Sequence, residues 1–361
     1  MKILFVTLEQ SARENLKVIL NNHFFQNNIE KIYTFGMSEE GLPFKDLTNM
    51  KIKSLMGLID IFKNLSYLFK LRNSLNLLVE DNNFSHLFFI DSFDFSKFYL
   101  NKFKNISVKY CQLIGPSVFI WKANKAKFIN KNFDHIFSIF EVERKFYYKD
   151  KYSYIGHPLF KNIVLNNKVK FPIKNIGIFL GSRYQEIIPN IPIIAKLIKD
   201  LKRLDNFNFQ FFVTKEFENL IKTHFVNDDF LFHLNNQEYY SNLSKLDFAF
   251  ACSGTVHLEL SFTQIPHFIF YRANWLNYII FKFFVRSRYL SLVNIFNKKS
   301  CVKEFVQKNF NHNILTSEFE LLYNNKDLFY DYLNMMIEST KKSNFQKINS
   351  EIIIDYLKKS S

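Results

Sequence analysis

Residues that interrupt regular secondary structure are scarce in this sequence. Its 361 residues include only 8 glycines and 7 prolines. This scarcity excludes a flexible low-complexity chain, and a hydrophobic fraction of 48% predicts a globular protein. A chain of this length is too long for one ordinary core, so we expect two domains.

Cysteine is rarer still. The three cysteines, Cys111, Cys252 and Cys301, lie far apart and form no Cys-x-x-Cys pair. Neither a disulfide framework nor a zinc site is indicated by this spacing. We therefore expect a reducing compartment.

Long hydrophobic runs are also missing. No apolar stretch reaches the roughly 18 residues needed to span a bilayer, and the longest candidate, His267 to Val285, is broken by Arg272 and Lys282. The first residues, Met1 to Thr7, have the pattern of a short strand rather than of a cleavable signal. We therefore expect a cytoplasmic protein without a membrane span.

Negative charge is in deficit. Lysine and arginine total 48 against 33 acidic residues, a formal net charge of +15. Such a charge favours an anionic partner: nucleic acid, a phosphosugar or a membrane surface. Abundant Lys, Asn, Ile and Phe also fit AT-rich coding DNA, which supplies lysine without selection for binding. The aromatic residues follow the periods of buried strands and helices, so we expect no nucleic acid partner.

Strand and helix patterns alternate along the chain in two series. The strands of the first series are expected at Lys2–Leu8, Lys31–Phe35, His86–Asp91, Ser107–Leu113, His135–Ile139 and Tyr152–Ile155. Those of the second are expected at Asn175–Leu180, Phe209–Thr214, Phe230–Leu234, Leu246–Ala251 and His267–Tyr271. The pattern predicts an α/β protein with two doubly wound Rossmann-like domains, 1–160 and 161–344, facing a cleft. A final helix, 345–361, is expected to pack back on the first domain.

The stretch around Ser253-Gly254-Thr255 follows an apolar run and precedes a helical pattern. A turn from strand to helix offers backbone N–H groups and the positive end of the helix dipole to a phosphate. Glu259 lies one helical turn further on, where it could hold a ribose. The alternative is that Ser253 only caps the helix.

Two other polar segments also follow predicted strands. Gly181-Ser182-Arg183 could meet a diphosphate, or Arg183 could pair with a surface carboxylate. Asp91 and Asp94 lie three residues apart, and one could be a general base while the other caps the next helix.

Two proline-containing segments are less specific. The segment from Pro116 to Trp121 could shape a sugar or acyl site, or could be packing. His157 could be catalytic, but the glycine and proline beside it favour a turn between domains.

Nine short motifs, in this order, resemble the lipid-A-disaccharide synthase family. They are Met56-Gly57, Asp91 with Asp94, Pro116-Ser117-Val118 with Trp121, Gly156-His157-Pro158-Leu159, Gly181-Ser182-Arg183 with Glu186-Ile187, Ser253-Gly254-Thr255 with Leu258-Glu259, Tyr271-Arg272, Leu292 with Asn294-Ile295, and Val302 with Glu304. The resemblance covers nearly the whole chain and implies an inverting glycosyltransferase of the GT-B fold. Such an enzyme joins UDP-2,3-diacylglucosamine to 2,3-diacylglucosamine 1-phosphate (lipid X), giving the lipid A disaccharide 1-phosphate and UDP.

The resemblance also implies the roles of individual residues. Asp94 would take the acceptor hydroxyl proton, and Arg183 would stabilise the departing diphosphate. Contacts with the UDP-sugar donor are implied for Gly181, Ser182, Ser253, Gly254, Thr255, Glu259, Asn294 and Glu304. Contacts with the acceptor are implied for Glu9, Ser11, Met56, Pro116, Ser117 and Trp121. The donor domain has no Asp-x-Asp pair, so we expect neither a metal nor a cofactor.

The first loop departs from the family pattern. Where the family has Gly-Glu-x-Ser-Gly-Asp, this chain reads Leu8-Glu9-Gln10-Ser11-Ala12-Arg13 and keeps only the glutamate and the serine. Both family glycines are absent, so a ligand is not expected to approach the backbone there as closely as in the family.

Two largely apolar segments with interspersed Lys or Arg, Ser54–Arg72 and Trp275–Tyr289, resemble interfacial helices. They predict peripheral binding to the anionic inner face of the inner membrane, with core packing as the alternative. The sequence leaves open whether the chain forms a homodimer. It also leaves open another UDP-N-acetylhexosamine enzyme of this fold, either a 2-epimerase or a transferase with a different acceptor.

Overall fold

The chain divides into two units in the computed structural model. Met1–Lys161 and Phe345–Ser361 form the first unit, and Asn162–Asn344 forms the second. The structure describes residues 1–36, 44–48, 50, 52, 65–120, 124–161, 169, 171–225, 230–234, 238–272 and 287–360.

A seven-stranded sheet forms the centre of the first unit. Its strands are β1 (Ile3–Thr7), β2 (Ile32–Phe35), β3 (Lys45–Asp46), β4 (His86–Ile90), β5 (Lys109–Leu113), β6 (His135–Ser138) and β7 (Tyr152–Tyr154). They pair in the order β3-β2-β1-β4-β5-β6-β7, and every pairing is parallel. All residues of β1 and β4 are buried, as expected for apolar strands covered by helices on both faces.

Helices of the first unit follow the strands. They are α1 (Gln10–Leu20), α2 (His23–Gln26), α3 (Leu65–Asn82), α4 (Phe93–Leu100) and α5 (Asn124–Asn132). The spacing of Ser11 and Glu14 is that of a capping box, which predicts Ser11 as the N-cap residue of the first helix. This prediction is wrong, because α1 begins at Gln10 with Glu9 at its N-cap.

A six-stranded sheet forms the centre of the second unit. Its strands are β8 (Asn175–Phe179), β9 (Asn208–Val213), β10 (Leu231–Leu234), β11 (Phe248–Cys252), β12 (His267–Tyr271) and β13 (Glu304–Val306). They pair in the order β10-β9-β8-β11-β12-β13, again all parallel. The predicted α/β class with two parallel sheets is confirmed.

The helices of the second unit are α6 (Tyr184–Leu201), α7 (Glu218–His224), α8 (Tyr239–Leu243), α9 (Val256–Thr263), α10 (Leu292–Asn297), α11 (His312–Tyr323) and α12 (Lys326–Lys342). Aromatic rings fill much of the core against α11: Phe319 lies 5.2 Å from Phe248 and 5.7 Å from Phe250, measured between ring centroids. None of the described helices is long and apolar enough to cross a membrane.

The end of the chain returns to the first unit. His157 N donates to Gln346 O at 2.8 Å, and Gly156 has a φ of +79° with Lys347 O only 2.1 Å from where a Cβ would lie. A side chain at Gly156 would therefore collide with the returning backbone. The last helix, α13 (Glu351–Lys359), places Tyr356 against the ring of His135 at 4.6 Å.

The strand order reverses once in each sheet, between β1 and β4 and between β8 and β11. In open α/β sheets, ligands bind outside the carboxyl ends of the strands at this point. The loops after these four strands are therefore the first places to look for a site.

Candidate active site

The loop after β8 is shaped by a carboxylate. Gly181 has a φ of +118°, and a Cβ there would lie 2.8 Å from Glu186 Oε2. The same carboxylate accepts hydrogen bonds from Ser182 N at 3.2 Å and from Arg183 Nη1 at 3.1 Å. A backbone amide and a guanidinium thus both point at one anionic group.

Arg183 is the N-cap residue of α6, and its side chain is 60% exposed. The ion pair left open for Arg183 is present, with Glu186 as its partner. The Glu186 side chain is only 15% exposed, but the guanidinium is largely in solvent, so it can turn from Glu186 to another anion. The sequence signal for Glu186 was its position three residues after the N-cap, the spacing of a capping box.

The loop after β11 leaves open space. Ser253 N donates to Phe270 O at 2.9 Å, and no atom lies within 4 Å of where a Cβ of Gly254 would stand. Thr255, not Ser253, is the N-cap residue of α9, so the capping alternative for Ser253 is wrong. No neighbouring atom would clash with a side chain at position 254. Because Gly254 has no side chain, space remains open at the start of α9.

Glu259 lies in the first turn of α9. Its carboxylate accepts hydrogen bonds from Tyr239 Oη at 2.8 Å and from Tyr240 Oη at 3.3 Å. Burial raises the pKa of Glu259, and the two hydroxyls oppose that shift. Nothing near Glu259 in the sequence indicates the tyrosines, because α8 lies nearly twenty residues before it.

Glu304 and Asn294 hold the loop before α10. Glu304 accepts hydrogen bonds from Leu290 N at 2.9 Å, Ser291 N at 2.8 Å and Asn294 Nδ2 at 2.7 Å. His257 Nε2 accepts from Leu292 N at 3.1 Å. Three consecutive backbone amides are thus fixed by two side chains.

The amide of Asn294 is fully engaged and fully buried. Its Oδ1 accepts from Cys301 N at 2.7 Å and Val302 N at 2.8 Å, while its Nδ2 also donates to Val302 O at 2.7 Å. Asn294 therefore supports the loop in this structure, and a direct contact with a donor stays a prediction.

In the first unit, a strained turn follows β4. Asp91 has a φ of +53° and Ser92 a φ of +36°, conformations that cost energy for residues with a side chain. Gln112 Nε2 stabilises the turn by donating to Asp91 O at 2.8 Å. Neither Asp91 nor Asp94 is the capping residue that the sequence left open, because Ser92 is the N-cap residue of α4.

Two carboxylates meet beside this turn. Ser92 Oγ donates to Glu9 Oε1 at 3.4 Å. Burial, and then the charge of Glu9, raise the pKa of Asp91 to about 6. Glu9 lies in the loop after β1 and Asp91 in the loop after β4, the two strands between which the strand order reverses.

Asp94 is much more open. Its side chain is 74% exposed and pairs with Lys125 Nζ at 3.1 Å. Lys125 also lies over the ring of Phe93, 5.1 Å from its centroid. The lysine was not identified from the sequence, and it fixes an accessible carboxylate at the start of α4.

The segment that contains Pro116 and Ser117 rests on a buried acid. Val118 N donates to Glu143 Oε1 at 3.1 Å, and Ser138 Oγ donates to Oε2 at 2.6 Å. Burial raises the pKa of Glu143 to about 8. Pro116 and Ser117 themselves are half-buried.

Glu143 should make stability depend on pH. Its pKa in the folded chain lies well above the value of an unfolded glutamate, so the native state holds the extra proton. The stabilisation is complete below about pH 4 and is lost as pH rises through about 8. Between pH 5 and 9, we expect the unfolding free energy of the wild type to fall relative to that of Glu143→Gln by on the order of 3 kcal/mol.

Urea unfolding at pH 5, 7 and 9 measures this difference. Glu141→Gln is the matched control, because Glu141 lies in the same short helix and pairs with Arg144 on the surface. A difference between wild type and Glu143→Gln that stays constant with pH would contradict the prediction.

Several features predicted to contact the acceptor or the membrane fall outside the described residues. They include Met56, Trp121, residues 54–64 of the first interfacial segment and residues 275–286 of the second. Ser11 lies in the first turn of α1. Within the described ranges, no group of three His, Cys, Asp or Glu residues could hold a metal ion.

Comparison with known proteins identifies relatives along most of the chain. A model of the lipid-A-disaccharide synthetase family matches residues 3–354. A lipid-A-disaccharide synthase from Rickettsia conorii is 27% identical over 370 residues, which cover 95% of this chain and 81% of the relative. Its counterpart from Aquifex aeolicus is 27% identical over 341 residues, covering 91% of this chain and 92% of the relative.

Solved structures share the fold at low sequence identity. UDP-GlcNAc 2-epimerase from Neisseria meningitidis, bound to UDP-GlcNAc, aligns with a TM-score of 0.60 and 15% identity over 99% of this chain and 100% of the epimerase. A co-structure of S. aureus MnaA with UDP aligns with a TM-score of 0.65 and 11% identity over 99% of this chain and 96% of MnaA. The predicted GT-B fold is confirmed. With a family match that spans nearly its whole length, the chain belongs to the lipid-A-disaccharide synthetase family and is a glycosyltransferase of lipid A biosynthesis.

Proposed function

We propose that this enzyme transfers the sugar of UDP-2,3-diacylglucosamine to 2,3-diacylglucosamine 1-phosphate, with inversion at the anomeric carbon. The observation that carries the proposal is the grouping of anion-binding features where the strand order of the second unit reverses. There Ser182 N and Arg183 point at one carboxylate, and Gly254 leaves room at the start of α9. The names of the relatives supply the substrate class.

The transfer is one displacement. The acceptor hydroxyl oxygen bonds to the anomeric carbon as the bond from that carbon to the UDP oxygen breaks, and Asp94 takes the hydroxyl proton. Arg183 releases Glu186 and stabilises the charge that develops on the diphosphate, with the amino ends of α6 and α9 adding their dipoles. These groups supply positive charge without a metal ion.

Glu259 would hold the ribose of the donor through its carboxylate. Glu304 and Asn294 would act on the donor through the loop that they fix before α10. In the first unit, Glu9, Ser11, Pro116 and Ser117 would line the acceptor side, joined by Met56 and Trp121.

We also propose that the enzyme works at the anionic inner face of the inner membrane, where its lipid substrates are. The described part of the first interfacial segment supports this location. Leu65 and Phe69 on α3 are both exposed, and the chain carries a net charge of +15. Exposed apolar side chains and positive charge together favour an anionic bilayer surface.

One assay tests the function. Purified protein is incubated with both lipid precursors in vesicles of phosphatidylglycerol and phosphatidylethanolamine, with and without EDTA. We expect mass spectrometry to detect the tetraacyl disaccharide phosphate and an equal amount of UDP, at rates that EDTA leaves unchanged. Sedimenting the same vesicles at low salt should carry the protein down.

The other outcomes are equally defined. Formation of an epimer from UDP-GlcNAc alone, without disaccharide, would indicate a 2-epimerase. UDP release that requires a different acceptor would indicate another transferase. Loss of activity in EDTA that magnesium restores would contradict the metal-free mechanism.

A further inference from the structure

Two adjacent tyrosines on α8 contact the same carboxylate. Tyr239 Oη donates to Glu259 Oε2 at 2.8 Å, and Tyr240 Oη donates to Glu259 Oε1 at 3.3 Å. The two donors therefore occupy different oxygens of one carboxylate, rather than competing for the same one.

Packing fixes the tyrosine rings. Tyr239 is buried and meets Phe212 edge to face, with ring centroids 5.6 Å apart and planes at 87°. The ring of Tyr240 stands at 89° to that of Tyr239, 5.1 Å away. Because neither ring can swing freely, their hydroxyls define where the two carboxylate oxygens lie.

We propose that Tyr239 and Tyr240 are positioning residues that orient Glu259 to bind both hydroxyls of a ribose, and so set the preference for a ribonucleoside over a 2′-deoxyribonucleoside diphosphate. The inference rests on the proposed role of Glu259 in donor binding. It adds what makes that carboxylate selective.

The chemistry of the carboxylate supports this assignment. An ionised carboxylate can accept about four hydrogen bonds, two on each oxygen. One tyrosine donor on each oxygen leaves one acceptor position on each, which matches the two neighbouring hydroxyls of a ribose. The tyrosine donors also favour the ionised form against the effect of burial, which raises the pKa of Glu259.

The tyrosines could also serve only to supply hydrogen bonds to a buried carboxylate, and the preference between two ligands distinguishes that role from orienting Glu259. If the tyrosines only stabilise the fold, removing a hydroxyl lowers stability and leaves the ratio of affinities for two ligands unchanged. If they orient Glu259, the affinity for UDP falls while that for 2′-deoxy-UDP changes little. The ratio of the two dissociation constants is therefore the decisive quantity.

The experiment is calorimetric titration of the full-length protein with UDP and with 2′-deoxy-UDP. Loss of a hydrogen bond to a charged group costs on the order of tenfold in affinity, so we expect the wild type to prefer UDP by about tenfold or more. Tyr239→Phe should lower this ratio by about threefold or more, Tyr240→Phe by less because its contact is longer, and the double variant should approach a ratio near one.

Tyr323→Phe is the matched control. The Tyr323 hydroxyl also donates to a carboxylate, that of Asp205. Asp205 directly precedes β9 and so lies at the amino ends of the strands, whereas the candidate site lies at their carboxyl ends. We expect its ratio to equal that of the wild type. Circular dichroism of each variant confirms folding, and the half-buried Tyr240 provides a milder substitution if Tyr239→Phe does not fold.

Glu259→Gln tests the proposed ribose-binding role of Glu259 separately from the positioning role of the tyrosines. A wild-type ratio in Glu259→Gln would show that this carboxylate does not select the ribose, which overturns its proposed role and this inference with it. A collapsed ratio in Glu259→Gln combined with a wild-type ratio in the tyrosine variants would overturn only the positioning role. Absence of UDP binding by the wild type would overturn both.

Discussion

Replacing Asp94 with asparagine should lower turnover by about a hundredfold to ten-thousandfold, the usual cost of removing a general base. The carboxylate is accessible at the start of α4 and is held by Lys125. The donor groups belong to the second unit, so the affinity for UDP should change by less than about threefold. Steady-state kinetics with both lipid substrates, together with UDP titration, measures the two quantities.

Asp91→Asn is the matched control three residues away. Burial and Glu9 raise the pKa of Asp91 to about 6, so its charge destabilises the folded chain above that pH. We therefore expect Asp91→Asn to keep or increase thermal stability at pH 7.5, with a smaller effect on turnover. An inactive, folded Asp91→Asn beside an active Asp94→Asn would assign the base to Asp91 instead.

Arg183→Ala should have the second large effect. Removing a group that stabilises transition-state charge typically lowers kcat by about a hundredfold to a thousandfold. Arg183→Lys should recover only part of this loss, since lysine keeps the charge but lacks the planar fork that matches phosphate oxygens. Single-turnover rates of UDP release measure the effect.

Arg203→Ala is the matched control for this substitution. Arg203 pairs with Asp200, three residues before it, at 3.4 Å and is also largely exposed, but it lies beyond the carboxyl end of α6. It should leave kcat unchanged. An Arg183→Ala enzyme with normal kcat would remove the guanidinium from the mechanism, and the loop amides would then have to hold the diphosphate without it.

The long apolar runs made the fold readable from the sequence. β4 and β11 are buried throughout, and strands covered on both faces are largely apolar runs, which the sequence shows directly. β3 and β13 were not predicted, because they contain only two and three residues and show no period. Helix starts were harder to predict: the N-cap residue of α1 is Glu9, two residues before Ser11, and its side chain makes no capping hydrogen bond.

The predicted site residues come from strand ends, where topology and family resemblance point to the same loops. Their partners could not be read in the same way. Tyr239, Lys125 and Glu143 lie on other elements and meet the site only after the sheets have formed. No local spacing relates Glu143 to Val118, and only the folded chain shows that a buried acid supports that segment.

The return of the chain through Gly156 and Lys347 has a consequence during protein synthesis. The second unit is continuous in sequence, whereas the first needs residues from both ends of the chain. The ribosome therefore releases the whole second unit before α13, which carries the buried Ile353, Ile354 and Leu357. Until α13 has been synthesised, the apolar surface of the first unit that α13 covers stays exposed. The second unit, although made later, can fold as it emerges.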